Sequence, residues 1–365
     1  MKVCHITSLH SFKDVRITRK EAVSLNEKNN MEVFLIAPNT DNVVFNGIQV
    51  IGVDRKNRNR LSRIFNATKE FYFKAIELNA DVYHFHDPEL IPLGKKLAKG
   101  GKKVIYDVHE DVPRQILEKT WIPKQLRRIV SWIFDKYEKK SVKNFSAVIT
   151  ATPYITKMFG KSNNNIIDIK NYPILKELTI DEEHYNKKSQ FVYVGGISIN
   201  RGVTNMVKAI GNMKGSQLAL AGKFTNDNLK EKSMQLNGWQ QVDYVGFIDR
   251  DEVKQLLGES MAGLVVLHPT INYKDSLPIK MFEYMAAGIP VIASNFPLWK
   301  EIVEKNECGI CVDPLNHTEI LNAMKYIKNN PDIAKQMGRN GRHAVEAKYN
   351  WEAESKKLLK LYQNL

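Results

Sequence analysis

The stretch Asp275-Ser-Leu-Pro-Ile-Lys-Met-Phe-Glu283-Tyr-Met-Ala-Ala-Gly-Ile-Pro-Val-Ile-Ala-Ser294 reads as a loop, a short helix and a buried strand. Pro278 suits a first helical turn, where its missing N–H would have no intrahelical partner. Gly288 suits the helix stop, and Pro290 follows it. Val291-Ile-Ala then runs apolar, as in a strand covered on both faces. A helix opening out of such a loop presents unpaired N–H groups and the positive end of its dipole, a place for a phosphate. Lys280 adds charge there, and the Glu283 carboxylate accepts hydrogen bonds from sugar hydroxyls. A phosphate receptor beside a sugar receptor is what a nucleotide-sugar requires.

Working outward, apolar runs alternate with helical segments. In the first half they fall at 2–7, 32–37, 82–85, 103–106 and 147–151. In the second they fall at 191–194, 217–221, 242–245, 263–267, 291–293 and 309–312. This alternation predicts an α/β chain of two doubly wound, Rossmann-like parallel sheets. The polar stretch 176–190 reads as the linker region. The predicted domains are 1–175 and 176–350, with a helix over 351–365 crossing back to the first. Ligands of such sheets bind beyond the carboxyl ends of the strands, so two facing sheets would enclose a cleft.

Phe191-Val-Tyr-Val-Gly-Gly-Ile-Ser-Ile-Asn-Arg-Gly202 is strand, glycine pair, loop and helix start. Gly195 and Gly196 allow the backbone close to a bulky ligand. Arg201 precedes a helix beginning near Val203, where a guanidinium holds a diphosphate by forked hydrogen bonds. The alternative for this segment alone is a structural Gly-Gly turn with a solvated arginine.

With these residues in view, the C-terminal half resembles retaining glycosyltransferases of the GT-B fold, specifically glycosyltransferase family 4. Those enzymes carry two acids separated by seven residues, the second in a helix ending Glu-x-Met-Ala-x-Gly-x-Pro-Val-Ile-Ala. Here the second acid is Glu283, and Asp275 stands at the first position in place of the usual Glu. The resemblance implies that Glu283 binds the ribose and that Asp275 lies by hydroxyls of the donor sugar. Gly196 replaces the family's usual Arg, and Arg201 takes the place of its Lys, so the diphosphate would rely on Arg201 with Lys280 as helper. Ser276, Leu277 and Pro278, leading into the helix, join Gly195 and Gly196 as substrate-binding. Val245-Gly-Phe-Ile248 also resembles a family segment, which puts Phe247 by the nucleobase.

In the first half, His84-Phe-His-Asp-Pro-Glu-Leu90 and Tyr106-Asp-Val-His-Glu-Asp111 resemble bacterial surface-polysaccharide glycosyltransferases. A His in the place of His109 lies beside the donor sugar in the family. His10-Ser-Phe-Lys-Asp-Val-Arg16 occupies the loop where relatives often carry a glycine pair, and Asp14 and Arg16 are its substrate-binding candidates. His84 and His86 alternate on a strand and share a face. That spacing suits a metal, but with no matching carboxylate pair evident they read as packed or capping histidines. Asp107, Glu110 and Asp111 read as candidate caps for the next helix. Asp249-Arg-Asp251 reads as the start of a capping box with Glu252, not as a metal site.

The chain has 365 residues, 43% of them hydrophobic and 26% charged, as in soluble globular proteins. No apolar run reaches the length of a membrane span, and the strand-like start is no signal peptide, so a cytoplasmic location is expected. Three cysteines make no disulfide framework, and Cys308 and Cys311 read as small core residues. The net charge of +14 divides as +12 over residues 1–175 and +2 over the rest. Two basic stretches contribute: 55–63, with five cations in nine residues, and Trp121-Ile-Pro-Lys-Gln-Leu-Arg-Arg-Ile-Val-Ser-Trp-Ile-Phe134, where aromatics and cations recur at helical spacing. Either an anionic membrane surface or a helix with its apolar stripe in the core accounts for the second. No nucleic-acid module appears.

The expected protein is a metal-independent retaining hexosyltransferase without cofactor. It would move a sugar from a UDP- or GDP-sugar to a lipid-linked or polysaccharide acceptor of O-antigen, lipopolysaccharide or capsule type, at the inner face of the membrane. A nucleotide-sugar epimerase and a non-catalytic nucleotide-sugar-binding subunit remain as alternatives.

Overall fold

A computed structural model describes residues 1–29, 31–54, 60–180 and 187–365. The basic run 55–63 therefore lies largely outside the described residues, as does part of the 176–190 stretch. The chain divides into two compact units, Met1–Asn171 with Glu354–Leu365, and Tyr172–Ala353. The final helix, Trp351–Gln363, thus lies mostly in the first unit, where the Tyr362 hydroxyl meets His84 Nδ1 at 2.9 Å.

The first unit holds an eight-stranded sheet. Its strands are β1 (Lys2–Ile6), β2 (Glu32–Pro38), β3 (Val43–Phe45), β4 (Ile48–Val53), β5 (Val82–Phe85), β6 (Lys103–Val108), β7 (Ala147–Thr150) and β8 (Ile166–Asp168). Their order is β3-β4-β2-β1-β5-β6-β7-β8, parallel except for the β3–β4 hairpin. The second unit holds β9 (Gln190–Val194), β10 (Gln217–Ala221), β11 (Val242–Gly246), β12 (Ala262–Val265), β13 (Val291–Ser294) and β14 (Gly309–Val312). Their order is β11-β10-β9-β12-β13-β14, all parallel. Most central strands are buried along their length, which explains their continuous apolar runs.

The α/β reading with two doubly wound sheets holds. Three strands lay outside the sequence reading, β3, β4 and β8. The first two form a hairpin around Asn46 and Gly47, both at positive φ, the turn that Asn-Gly favours between strands. In each sheet the chain reverses its direction of travel beside the first strand, between β1 and β5 and between β9 and β12. Those crevices are where doubly wound sheets take ligands.

Candidate functional site

In the second unit, Gly195 leaves β9 with φ +130, a conformation open to glycine. A Cβ at Gly195 would come within 2.9 Å of Lys280 Nζ and 3.8 Å of Arg201 Nη1, and one at Gly196 within 2.9 Å of Arg201 Nη1. Two cations thus converge on the glycine pair. Arg201 ends a short turn, Ile199–Arg201, and Gly202 at φ +81 leads into the helix Val203–Ile210. Lys280 lies in the first turn of the helix Ile279–Ala286. Pro278 caps that helix, one position before the first turn to which its sequence assigned it.

Lys280 is almost wholly buried, and its Nζ donates to Tyr193 Oη at 2.9 Å while lying 4.1 Å from the centre of the same ring. Tyr193 Oη in turn donates to Gly196 O at 2.7 Å. Burial, and next the neighbouring Arg201 charge, pull the Lys280 ammonium down to about 7. An ammonium held so far below its usual value gains from any anion that arrives.

Glu283 stands one helical turn beyond Lys280 and is buried. Arg250 Nη1 donates to its Oε1 at 2.7 Å, and the same guanidinium reaches Glu177 Oε2 through Nε at 3.2 Å and Nη2 at 3.0 Å. Asp275 follows the short helix Ile271–Lys274 and is half-buried. Beside it the carbonyl of Ser276 accepts from the buried Trp299 Nε1 at 2.7 Å, and Leu277 packs on the core, so the loop into the helix is pinned. Phe247 follows Gly246 at the end of β11 and is 75% exposed, with Lys223 Nζ 5.2 Å from its ring centre.

The neighbouring acids behave as helix caps. Asp249 accepts from Asp251 N and Glu252 N, and Glu252 returns a bond to Asp249 N, completing the capping box. Cys308 and Cys311 are both free thiols, the first fully buried.

In the first unit, His109 follows β6, and its Nε2 donates to Asp107 Oδ2 at 2.6 Å. Asp107 is fully buried; Arg16 grips it with two bonds of 2.9 and 2.8 Å, and His86 Nδ1 lies 3.2 Å from it. Burial raises the Asp107 carboxyl, but Arg16 and His109 outweigh burial and hold it well below the usual carboxylate range. Asp107 was grouped with the helix caps; only Asp111 takes that role, accepting from Arg114 N at 2.9 Å. A strand-end carboxylate pointing into the interior is indistinguishable from a cap until its partner, 91 residues away in Arg16, is known.

Asp14 caps the π-helical segment Val15–Ala22 through Ile17 N at 2.9 Å and lies 3.4 Å from His10 Nδ1. Burial opposes its ionisation, yet His10 and the Ile17 N–H bring it down to about 2. Arg16 is buried, its guanidinium taken up by Asp107, by Ile169 O at 3.0 Å and by Glu21 Oε1 at 3.1 Å. It is therefore an interior scaffold element. Asp87, also buried, accepts from Thr7 Oγ1 at 2.8 Å and Ser8 N at 2.6 Å, which fixes the loop leading to His10.

The helix Lys124–Val142 turns one face to the core through Glu138, Ser141 and Val142. Leu126, Ile129, Val130 and Ile133, at i, i+3, i+4 and i+7, are exposed, as are Trp121 and Trp132. The apolar stripe thus faces outward, which decides against its being core.

The sequence profile described as "Glycosyl transferases group 1" matches residues 176–344, and that described as "Glycosyltransferase Family 4" matches residues 23–164. The chain belongs to the GT-B glycosyltransferases. The D-rhamnosyltransferase WbpZ of Pseudomonas aeruginosa is 24% identical over 76% of this GT-B chain and 71% of its own. Two other curated relatives are matched over 45% and 58% of their own lengths, so the chain spans about half of them. Among solved structures, sucrose-phosphate synthase from Thermosynechococcus elongatus shares the fold at a TM-score of 0.81, with 18% identity over 100% of this chain and 98% of that one. HepE of Anabaena, solved with UDP-glucose, shares it at 0.74, with 12% identity over 100% of both chains.

The GT-B chain's Tyr193, Arg250, Glu177 and Asp107 were missed as members of these clusters. Tyr193 meets Lys280 87 residues away, Arg250 meets Glu283 33 and Glu177 73 residues away, and Asp107 meets Arg16 91 residues away, so no local spacing revealed these pairs.

Proposed function

We propose that the protein is a retaining glycosyltransferase that moves a sugar from a nucleoside diphosphate sugar to a hydroxyl of a lipid-linked or polysaccharide acceptor. The convergence of Arg201 and Lys280 on Gly195 and Gly196, one helical turn from Glu283, carries this reading. A diphosphate there neutralises two cations, and the start of the helix Ile279–Ala286 adds its positive end. Glu283 accepts from the ribose, Phe247 covers the base and Asp275 orients the transferred sugar, while His109 is the sugar-facing candidate of the first unit. Asp107 fixes the His109 ring, and Arg16 fixes Asp107.

In the reaction, the bond from the sugar's anomeric carbon to the β-phosphate oxygen breaks, and the oxygen leaves with the electron pair. The acceptor oxygen bonds that carbon on the same face, and its proton passes to the departing phosphate. Arg201 and protonated Lys280 stabilise the phosphate charge as it grows, which is the work a divalent ion does elsewhere. The nucleotide-sugar bound by HepE and the sugar transferred by WbpZ agree with this donor class.

The acceptor reading rests on the exposed stripe of the helix Lys124–Val142. Its apolar residues are interleaved with Lys124, Arg127, Arg128 and Lys136, which suits an anionic lipid surface bearing a polyprenyl-type diphosphate. A cytoplasmic enzyme of surface-glycan synthesis of O-antigen, lipopolysaccharide or capsule type, resting on the inner membrane face, fits that surface. Among the described residues no helix is long and apolar enough to cross a membrane.

The test is a panel of UDP- and GDP-sugars read first by thermal shift and then by product NMR. Stabilisation by one donor and a product of the donor's own anomeric configuration are expected. An inverted linkage removes the retaining mechanism, and isomerised donor without transfer removes the transferase reading.

A further inference from the structure

The histidines of β1 and β5 form a second constellation, within the first unit, for which the transfer reaction has no use. His5 and His84 are register partners on adjacent parallel strands, and their ring centroids lie 4.5 Å apart. His86 lies two residues on from His84, and Glu21 comes from the π-helical segment Val15–Ala22. All four side chains are fully or almost fully buried, and their candidate ligand atoms lie within 4.8 Å of one another.

The hydrogen bonds around the cluster fix the tautomers of His86 and His5. His86 Nδ1 faces the Asp107 carboxylate at 3.2 Å and must donate to it. The neutral His86 ring then offers a lone pair at Nε2, and His5 Nδ1, 3.0 Å away, donates to that. His5 is left with a bare lone pair on Nε2. His84 Nδ1 meets the Tyr362 hydroxyl at 2.9 Å, and in the tautomer whose Nδ1–H donates to that oxygen a second bare lone pair stands on His84 Nε2. Neither Nε2 atom, nor either Glu21 oxygen, has a hydrogen-bond partner among the described residues, although Glu21 Oε1 lies 3.1 Å from Arg16 Nε. Two bare imidazole lone pairs stand beside a carboxylate whose cationic neighbour is Arg16, at 3.1 Å from Oε1, and leaving the two lone pairs buried without a donor is costly if nothing lies between them. A proton on Glu21 relieves at most one, and the 3.8 Å from Glu21 Oε2 to His84 Nε2 is beyond hydrogen-bond reach.

We propose that His5 Nε2, His84 Nε2 and the Glu21 carboxylate bind a divalent transition-metal ion of the zinc type inside the first unit. Two imidazoles and a carboxylate are a recurring zinc donor set. A tetrahedral ion with bonds of about 2.1 Å keeps its ligands about 3.4 Å apart, near the 3.8 Å that separates Glu21 Oε2 from His84 Nε2. The outer shell is already built. His86, itself held by Asp107, takes up His5 Nδ1, and the Tyr362 hydroxyl takes up His84 Nδ1, so each proposed ligand ring is oriented through its other nitrogen, as metal-bound imidazoles are. Sequence alone favours packed histidines here, because no matching carboxylate pair is evident; Glu21 arrives from 63 residues away. The ion's role is structural. It ties β1, β5 and the π-helical segment together, and through His86 and Asp107 it braces the ring of His109.

The test uses the full chain, stripped with a chelator and titrated with Co2+, whose visible ligand-field bands report low-coordinate nitrogen and oxygen ligands, and then with Zn2+ in competition. One ion per chain by elemental analysis is expected, with a rise in melting temperature. Tyr362→Phe keeps the packed ring and should weaken the ion 10- to 100-fold, about the usual effect of removing an outer-shell partner. Glu21→Gln should abolish stoichiometric uptake, and His109→Gln should leave it intact. No uptake by the stripped wild type overturns the proposal. So does equal uptake by wild type and Glu21→Gln, or uptake lost in His109→Gln and kept in Glu21→Gln, which would move the ion to the His86, Asp107 and His109 group. None of these readouts depends on sugar transfer.

Discussion

With a diphosphate held at Gly195 and Gly196 as proposed, Lys280 would make nucleotide affinity depend on pH in a way that few phosphate sites would. Its ammonium is held down to about 7 by burial and by Arg201, so at neutral pH about half of the empty protein carries it charged. A diphosphate against Nζ returns the group towards its ordinary value of about 10.4, and binding then takes up a proton. Uptake should be about 0.5 proton at pH 7 and about 0.9 at pH 8, and UDP affinity should fall roughly 50-fold between pH 7 and pH 9. The nucleotide's own last phosphate ionisation, near about 6, lies below this window. Calorimetry of UDP and GDP binding in buffers of different ionisation heat counts the protons directly. Lys280→Met should abolish both uptake and slope. Arg201→Gln removes the second cause of the depression, so the fall in affinity should move to higher pH. Stability gives an independent reading. The unfolded lysine keeps its proton to about 10.4 and the folded one only to about 7, so the unfolded state holds more protons between these values and stability rises with pH there. Lys280→Met should therefore stabilise the protein by up to about 4 kcal/mol at pH 7 while weakening nucleotide binding. Proton uptake near zero, with affinity flat from pH 7 to pH 9, would refute the placing of the diphosphate against Lys280.

Asp249→Ala removes an acceptor for two backbone N–H groups and should cost about 1 kcal/mol by denaturant unfolding, with donor affinity unchanged. Trp121→Ser combined with Trp132→Ser removes two exposed rings, 61% and 62% accessible. With about 1.5–3 kcal/mol for each fully buried large side chain, binding to anionic phospholipid vesicles should weaken at least about tenfold while turnover of a water-soluble acceptor persists; unchanged flotation would leave the stripe without a lipid partner. Glu138 is buried against the Tyr106 hydroxyl at 2.8 Å, and burial first raises its carboxyl to about 7. Its folded form therefore holds a proton that the unfolded form loses near about 4.3, and stability falls as pH rises across that interval. Glu138→Gln should raise the melting temperature at pH 8 and do little at pH 4.

The second unit was the more legible in sequence because its chemistry is local. Gly195, Gly196 and Arg201 lie within seven residues, Lys280 and Glu283 within one helical turn, and the capping box at Asp249 within four residues. Spacing of that kind translates directly into geometry. The first unit was less legible because its polar side chains meet only across strands. His5 was passed over because one histidine in an apolar strand looks like any core residue; only the β1–β5 register sets it opposite His84. Arg16 was read as a ligand because it sits in a strand-end loop, and no local pattern reveals that its guanidinium turns inward to a carboxylate 91 positions on. The hairpin at Asn46 and Gly47 had a local signal, and went unread because its strands are short and partly exposed.

Arg250 links what the sequence kept apart. A carboxylate buried as deeply as Glu283 is costly without a partner. Arg250 supplies a partner at all times through Glu283 Oε1, and Glu177 keeps that guanidinium in place from its other edge. The Glu283 carboxylate is thereby held in place by its own unit, with Arg250 on one oxygen. The residue between the two aspartates of the Asp249-Arg-Asp251 string, easily dismissed as a surface cation on a capped helix, is thus what allows the acid proposed to meet the ribose to sit inside the protein.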